Sequence, residues 1–321
     1  GSLTHTYDSL GRLVKTTRKS GTILKDTTYT YQAGVNGSTS NLVATVTDPD
    51  KTTNYTYDDN SNIKTITSAG NLITYTYNEL SELVREDNQI LNKTITYSYD
   101  AGGNLLEKKE YAYTTGTPGA PTRTMPYGYA DTNWKDKLTS FDGKAITYDA
   151  IGNPLSFDGW TYTWEEGRQL KSLAKTGTSL NFKYNSGGLR TEKTVNGVPT
   201  KYTYLGGKVA FETTGAETIH YTYDGSGAPF SMTYNGSEYF YLTNLQGDVT
   251  GIADAAGATV VSYTYESWGK LISTTGSLAT TLGMKNHTAI AVTGITPKRD
   301  STICRAGTII RRSGDSLMQM H

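Results

Sequence analysis

Acids or amides stand directly behind aromatic residues all along this chain, and a carboxylate repeated in so constant a setting is the first candidate for acid–base chemistry. Asp8 follows Tyr7, Asp58 follows Tyr57, Asp100 follows Tyr97 and Tyr99, Asp149 follows Tyr148, and Asp224 follows Tyr223. A catalytic site needs one or two such groups. Turn capping explains every copy at once, because an aspartate at a strand end can accept a hydrogen bond from the backbone N–H two residues on. The flat, amphipathic tyrosine rings suit the faces of sugars. Their fixed place in every repeat instead marks them as packing units.

Other chemistries are weaker still. Asp58-Asp59-Asn60-Ser61-Asn62 places oxygens at alternate positions as a calcium loop does, but Ile63 stands where that loop needs glycine and Ala69 where it needs glutamate. The histidines, His5, His220, His287 and His321, are scattered, and Gly206-Gly207-Lys208 lacks the rest of a phosphate loop. Asn-x-Ser/Thr triplets such as Asn92-Lys93-Thr94 and Asn235-Gly236-Ser237 are expected by chance in so threonine-rich a chain. The sequence therefore predicts no catalytic residue, metal or cofactor.

The element that carries these residues reads as a β-hairpin. In Tyr97-Ser98-Tyr99-Asp100-Ala101-Gly102-Gly103-Asn104-Leu105 the two rings are two apart and project from one face of a strand. Asp100 ends that strand, Gly102 and Gly103 supply the positive φ of a reversal, and Leu105 starts the return. The same order recurs at Tyr7-Asp8 with Gly11, Tyr57-Asp58, Tyr77-Asn78, Tyr148-Asp149 with Gly152, Tyr184-Asn185 with Gly187, Tyr223-Asp224 with Gly225, and Tyr265-Glu266 with Gly269. The second aromatic recurs at positions 57, 77 and 99 and again at 148, 164, 184, 204 and 223, roughly every 20 residues, as in repeat architectures.

Composition agrees with such an array. Branched aliphatic residues are sparse, while 25 Tyr, 4 Trp and many Thr supply β-forming surface. Lys+Arg and Asp+Glu are equal at 30 each, so no global field recruits nucleic acid or anionic membrane. The lone Cys304 allows no intrachain disulfide, and no apolar run is long enough to span a membrane. The fold class expected is all-β, an array of hairpins forming a long curved sheet.

Residues 1–111 and 141–285 carry the repeats. Between them, 112–140 holds Gly116, Pro118, Gly119, Pro121 and Pro126, and reads as a connecting surface loop and re-entry within one continuous sheet, since proline cannot continue a central strand. Asn78 to Gln89, the best helical candidate, contains a repeat turn and is assigned to a hairpin.

These ordered matches resemble the YD-repeat, or Rhs, family, whose eukaryotic relatives are the teneurins. The resemblance covers residues 4 to about 285. Trp134-Lys135-Asp136-Lys137-Leu138, Tyr148 to Leu155 and Trp164 to Arg168 resemble the bacterial wall-associated and polymorphic-toxin branch, and Tyr239 to Val249 resembles the start of the Rhs core segment. The resemblance implies a segment of a hollow β-shell that encloses and helps deliver a C-terminal toxin in bacterial competition. It implies as partners the remainder of that shell and the toxin, and a secreted or cell-surface location. A cell-wall or glycan-binding repeat module is the alternative. Self-cleavage in the bacterial family uses an Asp-Pro-x-Gly-like element beyond the core segment, and this sequence has none.

The sequence begins Gly1-Ser2 and enters a repeat at once, so it reads as a piece of a longer protein. Residues 286–321 depart from the pattern: Tyr265 is the last tyrosine, and Arg299, Arg305, Arg311 and Arg312 sit among few acids. Regrouping the codons from His287 onward by one nucleotide permits YRYRGYWYYAETGLYYLQSRYYNPEIGRF, which resembles the closing core segment of the family in its expected place. The tail is therefore expected to be a frameshift product, poorly packed, with no role for Cys304.

Overall fold

A computed structural model describes residues 1–278, and the off-pattern tail lies outside them. The described residues divide into two compact units, Gly1–Gly128 and a second beginning at Tyr129. Among the described residues, apart from a single turn of 3-10 helix at Val35–Gly37, every regular element is a strand.

The first unit contains β1 (Ser2–Tyr7), β2 (Leu13–Ser20), β3 (Ile23–Ala33), β4 (Thr39–Asp48), β5 (Lys51–Tyr57) and β6 (Ile63–Ser68). It continues with β7 (Asn71–Tyr77), β8 (Leu83–Asn88), β9 (Lys93–Tyr99), β10 (Leu105–Ala112) and β11 (Arg123–Gly128). Each strand pairs antiparallel with the next in sequence.

The second unit begins with β12 (Ser140–Phe141), β13 (Lys144–Tyr148), β14 (Pro154–Phe157), β15 (Trp160–Glu165), β16 (Gln169–Lys175), β17 (Thr178–Tyr184) and β18 (Arg190–Val195). There follow β19 (Val198–Leu205), β20 (Lys208–Thr214), β21 (Glu217–Tyr223), β22 (Pro229–Tyr234), β23 (Ser237–Thr243), β24 (Val249–Asp254), β25 (Thr259–Tyr265) and β26 (Leu271–Thr275). These too form an uninterrupted antiparallel meander.

Alternation decides which face is core. In β17 Leu180 and Phe182 are buried while Asn181 and Lys183 are exposed, and in β21 Ile219 and Tyr221 are buried while His220 and Thr222 are exposed. Leu170, Leu173, Leu180 and Phe182 pack with Trp160 and Tyr162 in one cluster; Val209, Met232, Ile252, Val261 and their neighbouring tyrosines form another. Each fully buried aliphatic or aromatic side chain contributes about 1.5–3 kcal/mol. The short reversals at Asp142-Gly143, Asp158-Gly159, Asn196-Gly197 and Asn235-Gly236 have positive φ at both residues, the conformation that matches the twist of a two-residue hairpin.

The stretch expected to be a connecting loop is partly strand. Residues 123–128 form β11, with Pro126 opposite Glu107 of β10. Proline is admitted to a strand where the ladder does not call on its missing donor. Residues 114–116 are pinned rather than loose: Arg85 donates to the carbonyls of Thr114 (2.9 Å) and Gly116 (2.7 Å), and the Thr94 hydroxyl accepts from the Thr114 N–H (3.0 Å). Asp87 holds both anchors, bonding the Arg85 guanidinium and accepting from Thr94.

Candidate functional site: the repeat turn and its aromatic ladder

The turn behind each aromatic pair is built the same way throughout. At Asp100 the backbone N–H bonds the Asn104 carbonyl (2.9 Å), and Gly103 N–H returns to the Asp100 carbonyl (3.0 Å). The Asp100 Oδ1 accepts from the backbone of both Gly102 (2.8 Å) and Asn104 (2.9 Å), and Oδ2 accepts from the Asn104 side chain. Asp8, Asp58 and Asp149 repeat this set with Arg12, Asn62 and Asn153 at the fifth position. Asp224 caps Ser226 and Ala228.

In six of these turns the first and fifth residues are complementary, while Ala228, Ala258 and Leu189 at the fifth position offer Asp224, Asp254 and Asn185 only a backbone N–H. At Asp8, Asp58, Asp100 and Asp149 the fifth residue supplies an amide or guanidinium. At two amide-led turns the roles reverse, and Asn78 donates to Glu82 (2.6 Å) and Asn244 to Asp248 (3.0 Å). This complementarity is written in the sequence and was not read from it. The candidate calcium loop is one of these turns, its Asp58 oxygens taken up by Asn60 and Asn62.

The left-handed residue is the fourth of the turn. Gly11, Gly103, Gly152, Gly188, Gly227 and Gly269 have positive φ there, with Ser61 and Ser81 in the same place. Gly102, expected to share that conformation with Gly103, does not, and neither do Gly187 and Gly225. The i+4 backbone bond fixes the choice, because the residue just before its acceptor must reverse the chain.

The two rings of each pair have different tasks. In most pairs the first is buried: Tyr55, Tyr97, Tyr162, Phe182, Tyr202, Tyr221, Tyr241 and Tyr263 belong to the core, while Tyr29 and Tyr75 are half-buried. The second sits at a register shift, as at Thr56/Tyr57, Thr76/Tyr77 and Lys183/Tyr184. From there its hydroxyl crosses to the preceding hairpin. Tyr57 donates to Val43 O, Tyr77 to Ile63 O, Tyr99 to Leu83 O, Tyr148 to Leu138 O, Tyr184 to Leu170 O, Tyr204 to Arg190 O and Tyr223 to Val209 O, at 2.6–2.9 Å. Tyr31 reaches Leu13 O in the same manner. Trp164 replaces tyrosine once and keeps the bond, donating its indole N–H to Pro154 O at 2.7 Å. The position therefore requires a ring with a donor at its far end. Sequence periodicity located these rings but not their acceptors, whose signal is the recurring offset of 14 residues.

Of the expected repeat positions, Tyr7 on β1 is 57% exposed. Tyr265 packs against Tyr263 with ring centroids 6.1 Å apart.

Burial drives the tyrosine hydroxyls toward their neutral form, raising Tyr148 and Tyr223 to about 12 and Tyr99 further. At Asp100 burial alone would raise the carboxyl. The donors from the Asn104 side chain, Asn104 N–H, Gly102 and Gly103 outweigh it and leave the carboxyl below its ordinary range. Asp149 and Asp224 behave alike, and Asp8 is lowered chiefly by the Arg12 backbone N–H. A depressed carboxyl stabilises the fold above its unfolded value and loses that contribution as pH falls through the folded one, so acid should loosen these turns below about pH 4. Replacing Asp8, Asp100, Asp149 and Asp224 together with Asn should flatten the decline in unfolding midpoint between about pH 5 and 2. The amides already present at Asn78 and Asn185 make the same backbone bonds without titrating.

The sequence profile of the Teneurin YD-shell matches residues 1–135 and 73–284. The chain belongs to the teneurin YD-shell family. Among curated proteins it is 36% identical over 208 residues to the tRNA3(Ser)-specific nuclease WapA of Bacillus spizizenii, which covers 63% of this chain and 8% of that protein. It is 34% identical over the same length to the tRNA nuclease WapA of Bacillus subtilis strain 168, with equal coverage. The chain thus spans about 8% of the length of these relatives. Among solved structures, the Photorhabdus luminescens Tc holotoxin pore superposes with a TM-score of 0.66 over 86% of this chain and 16% of that one, at 16% identity. The TcdB2–TccC3 crystal structure gives 0.64 over the same shares. The YD-shell fold therefore persists at an identity too low to carry anything but the fold.

Within this family the ladder bond should be measurable one rung at a time. Tyr184→Phe removes a donor at 2.9 Å from the Leu170 carbonyl while keeping the ring. We expect a loss of about 0.5–1.5 kcal/mol, read from denaturant unfolding, and faster amide exchange at the β16–β17 junction.

Proposed function

We propose that this chain is a structural module of a YD-repeat shell that encloses a C-terminal toxin domain and helps deliver it in bacterial competition, with no catalytic role of its own. The observation that carries this reading is the aromatic ladder. It spends the conspicuous chemistry of the repeats, the acids and tyrosines, on joining each hairpin to the one before. A surface built this way serves as a wall. The relatives named as tRNA nucleases are more than tenfold longer than the segment they share with this chain, which supports a toxin activity lodged elsewhere in such proteins. A secreted or cell-surface location belongs to the same reading. Among the described residues no helix is long and apolar enough to cross a membrane.

Two measurements test the proposal. The purified chain should leave total tRNA intact, and cleavage dependent on this chain would overturn the non-catalytic assignment. The complete protein expressed from its locus should shield its C-terminal domain from added protease, and Leu173→Asp in the shell should expose it. Equal cleavage with and without that substitution would overturn enclosure.

A further inference from the structure

The chain contains the pairs Asn36-Gly37, Asn196-Gly197 and Asn235-Gly236, and each lies at an exposed reversal. Asparagine followed by glycine can react with itself. The glycine backbone nitrogen, losing its proton, bonds to the asparagine side-chain carbonyl carbon, and the carboxamide nitrogen leaves as ammonia. Water then opens the resulting five-membered succinimide. Addition at one carbonyl gives aspartate, and addition at the other gives isoaspartate, whose backbone runs through the side-chain methylene. Water is the one co-reactant. Glycine favours the step because it lacks a side chain to hinder the nitrogen and rotates freely about its own backbone bonds.

The fold treats the three pairs differently. Asn196 and Asn235 each grip the preceding hairpin at two points. Asn196 N–H donates to Ser179 O (2.9 Å) and its Oδ1 accepts from Ser179 N–H (2.8 Å); Asn235 does the same with Thr218, at 3.0 and 2.9 Å. The carbonyl that must be attacked is thereby fixed against a neighbouring strand. Asn36 has no such grip. Its reversal, between β3 and β4, is closed by Gly34 N–H on Ser38 O (2.7 Å) and by the Ser38 N–H and hydroxyl on Val35 O (3.2 and 2.8 Å). These bonds bracket Asn36 and Gly37, use no atom of either, and include no side-chain cap. Gly37, at φ +75°, has nothing within 4 Å of the place a methyl group would take. The peptide between Asn36 and Gly37 can therefore rotate toward the attacking geometry without breaking a hydrogen bond.

We propose that Asn36-Gly37 is a self-modification site, which forms a succinimide and deamidates in the folded chain ahead of Asn196-Gly197 and Asn235-Gly236. Exposure does not separate the three pairs, since all are exposed. The side-chain grip does. The product places a new carboxylate on a chain whose formal charges otherwise cancel, and the isoaspartyl form lengthens the β3–β4 reversal by a methylene. The change stays at the tip of that reversal. Its base is held by Arg12, which donates to Ser40 O (2.7 Å), and by the Ser40 hydroxyl, which donates to Gln32 O (2.7 Å). This chemistry is independent of whether the shell encloses a toxin.

The test incubates the full chain in buffered heavy-oxygen water and follows all three pairs by peptide mass spectrometry. Solvent oxygen should enter at Asn36 about tenfold or more faster than at Asn196 or Asn235, because a hydrogen-bonded side chain must first open. Both aspartyl and isoaspartyl peptides should appear at Asn36. In guanidinium chloride strong enough to unfold the chain, the three pairs should react at similar rates. Incorporation at Asn36 no faster than at the other two in the folded chain would overturn the site. A preference for Asn36 that persists undiminished in denaturant would assign it to local sequence and overturn the part given to the side-chain grip. Aspartyl product without isoaspartyl would mean direct hydrolysis and overturn the succinimide route. None of these outcomes bears on protease shielding of a C-terminal domain, so the two proposals fail separately.

Discussion

Gly152→Ala should destabilise the second unit by about 2–4 kcal/mol, more than the same change at Gly11 or Gly103 costs the first. Two costs add at this position. Its φ of +86° is a left-handed conformation that costs an L-residue about 1–2 kcal/mol. A methyl group there would also lie 2.6 Å from Cζ3 and 3.1 Å from Cη2 of the Trp134 ring. The backbone of Trp134 is held in place and a cation lies near its ring. Its backbone N–H bonds Asp131 Oδ1 (2.9 Å), its carbonyl accepts from Lys137 N–H (3.0 Å), and the Lys137 ammonium lies 5.7 Å from the ring centre while also bonding Asp131. Displacing it costs about a further 1–2 kcal/mol of overpacking. Gly11→Ala isolates the backbone part, because nothing lies within 4 Å of a methyl group there and its φ is +77°. Gly103→Ala meets only the mobile end of Glu82 at 3.2 Å. Denaturant midpoints of the three variants should rank Gly152→Ala well below the other two. A loss at Gly152 no larger than at Gly11 would show that Trp134 yields freely.

The contrast among these glycines also marks what the sequence could convey. Hairpin identity and strand order are local properties, set by a period of two and by turn residues, and they were legible; the different tasks of the two rings in a pair were not. The capping role of Asp100 and its counterparts was legible too. The choice of Gly103 over Gly102 depends on which amide closes the turn, and either residue is chemically able to do so. The Tyr184 acceptor, the Leu170 carbonyl, lies in the neighbouring hairpin. A backbone group has no side-chain identity to betray it. Residues 114–116 read as loop because Gly116 and Pro118 forbid regular structure, yet composition cannot show that Arg85 and Thr94 hold them in place. Charged residues in the interior escaped for the same reason. Glu86 is fully buried, receiving Asn88 Nδ2 at 2.8 Å and the Tyr97 hydroxyl at 3.3 Å, at a strand position where neighbouring hairpins place Ile66 or Leu173. In a strand pattern that glutamate reads as solvent-facing, and only its neighbours make it an interior residue.

Leu173→Ala should cost about 2–5 kcal/mol, and its effect should stay local. Leu173 is 1% exposed and lies between Tyr162 and Leu180 in register, inside the cluster formed with Trp160, Leu170 and Phe182. Truncating the side chain to a methyl group in so enclosed a place leaves a cavity that rigid rings on either side cannot fill. The second large cluster of this unit, around Val209, Met232, Ile252 and Val261, shares none of those buried side chains. Each hairpin is bound to its sequence neighbours by ladder bonds and by one shared face, so stability in such an array is close to a sum of unit and nearest-neighbour terms. The loss should therefore appear as faster amide exchange through β15–β18, fading toward β20, with β23–β25 keeping its protection. Global unfolding should broaden, because the array no longer melts as one transition. Equal loss of protection from β12 to β26 would mean that the unit is cooperative throughout, with the tyrosine hydroxyls coupling hairpins more strongly than a bond of about 1 kcal/mol allows.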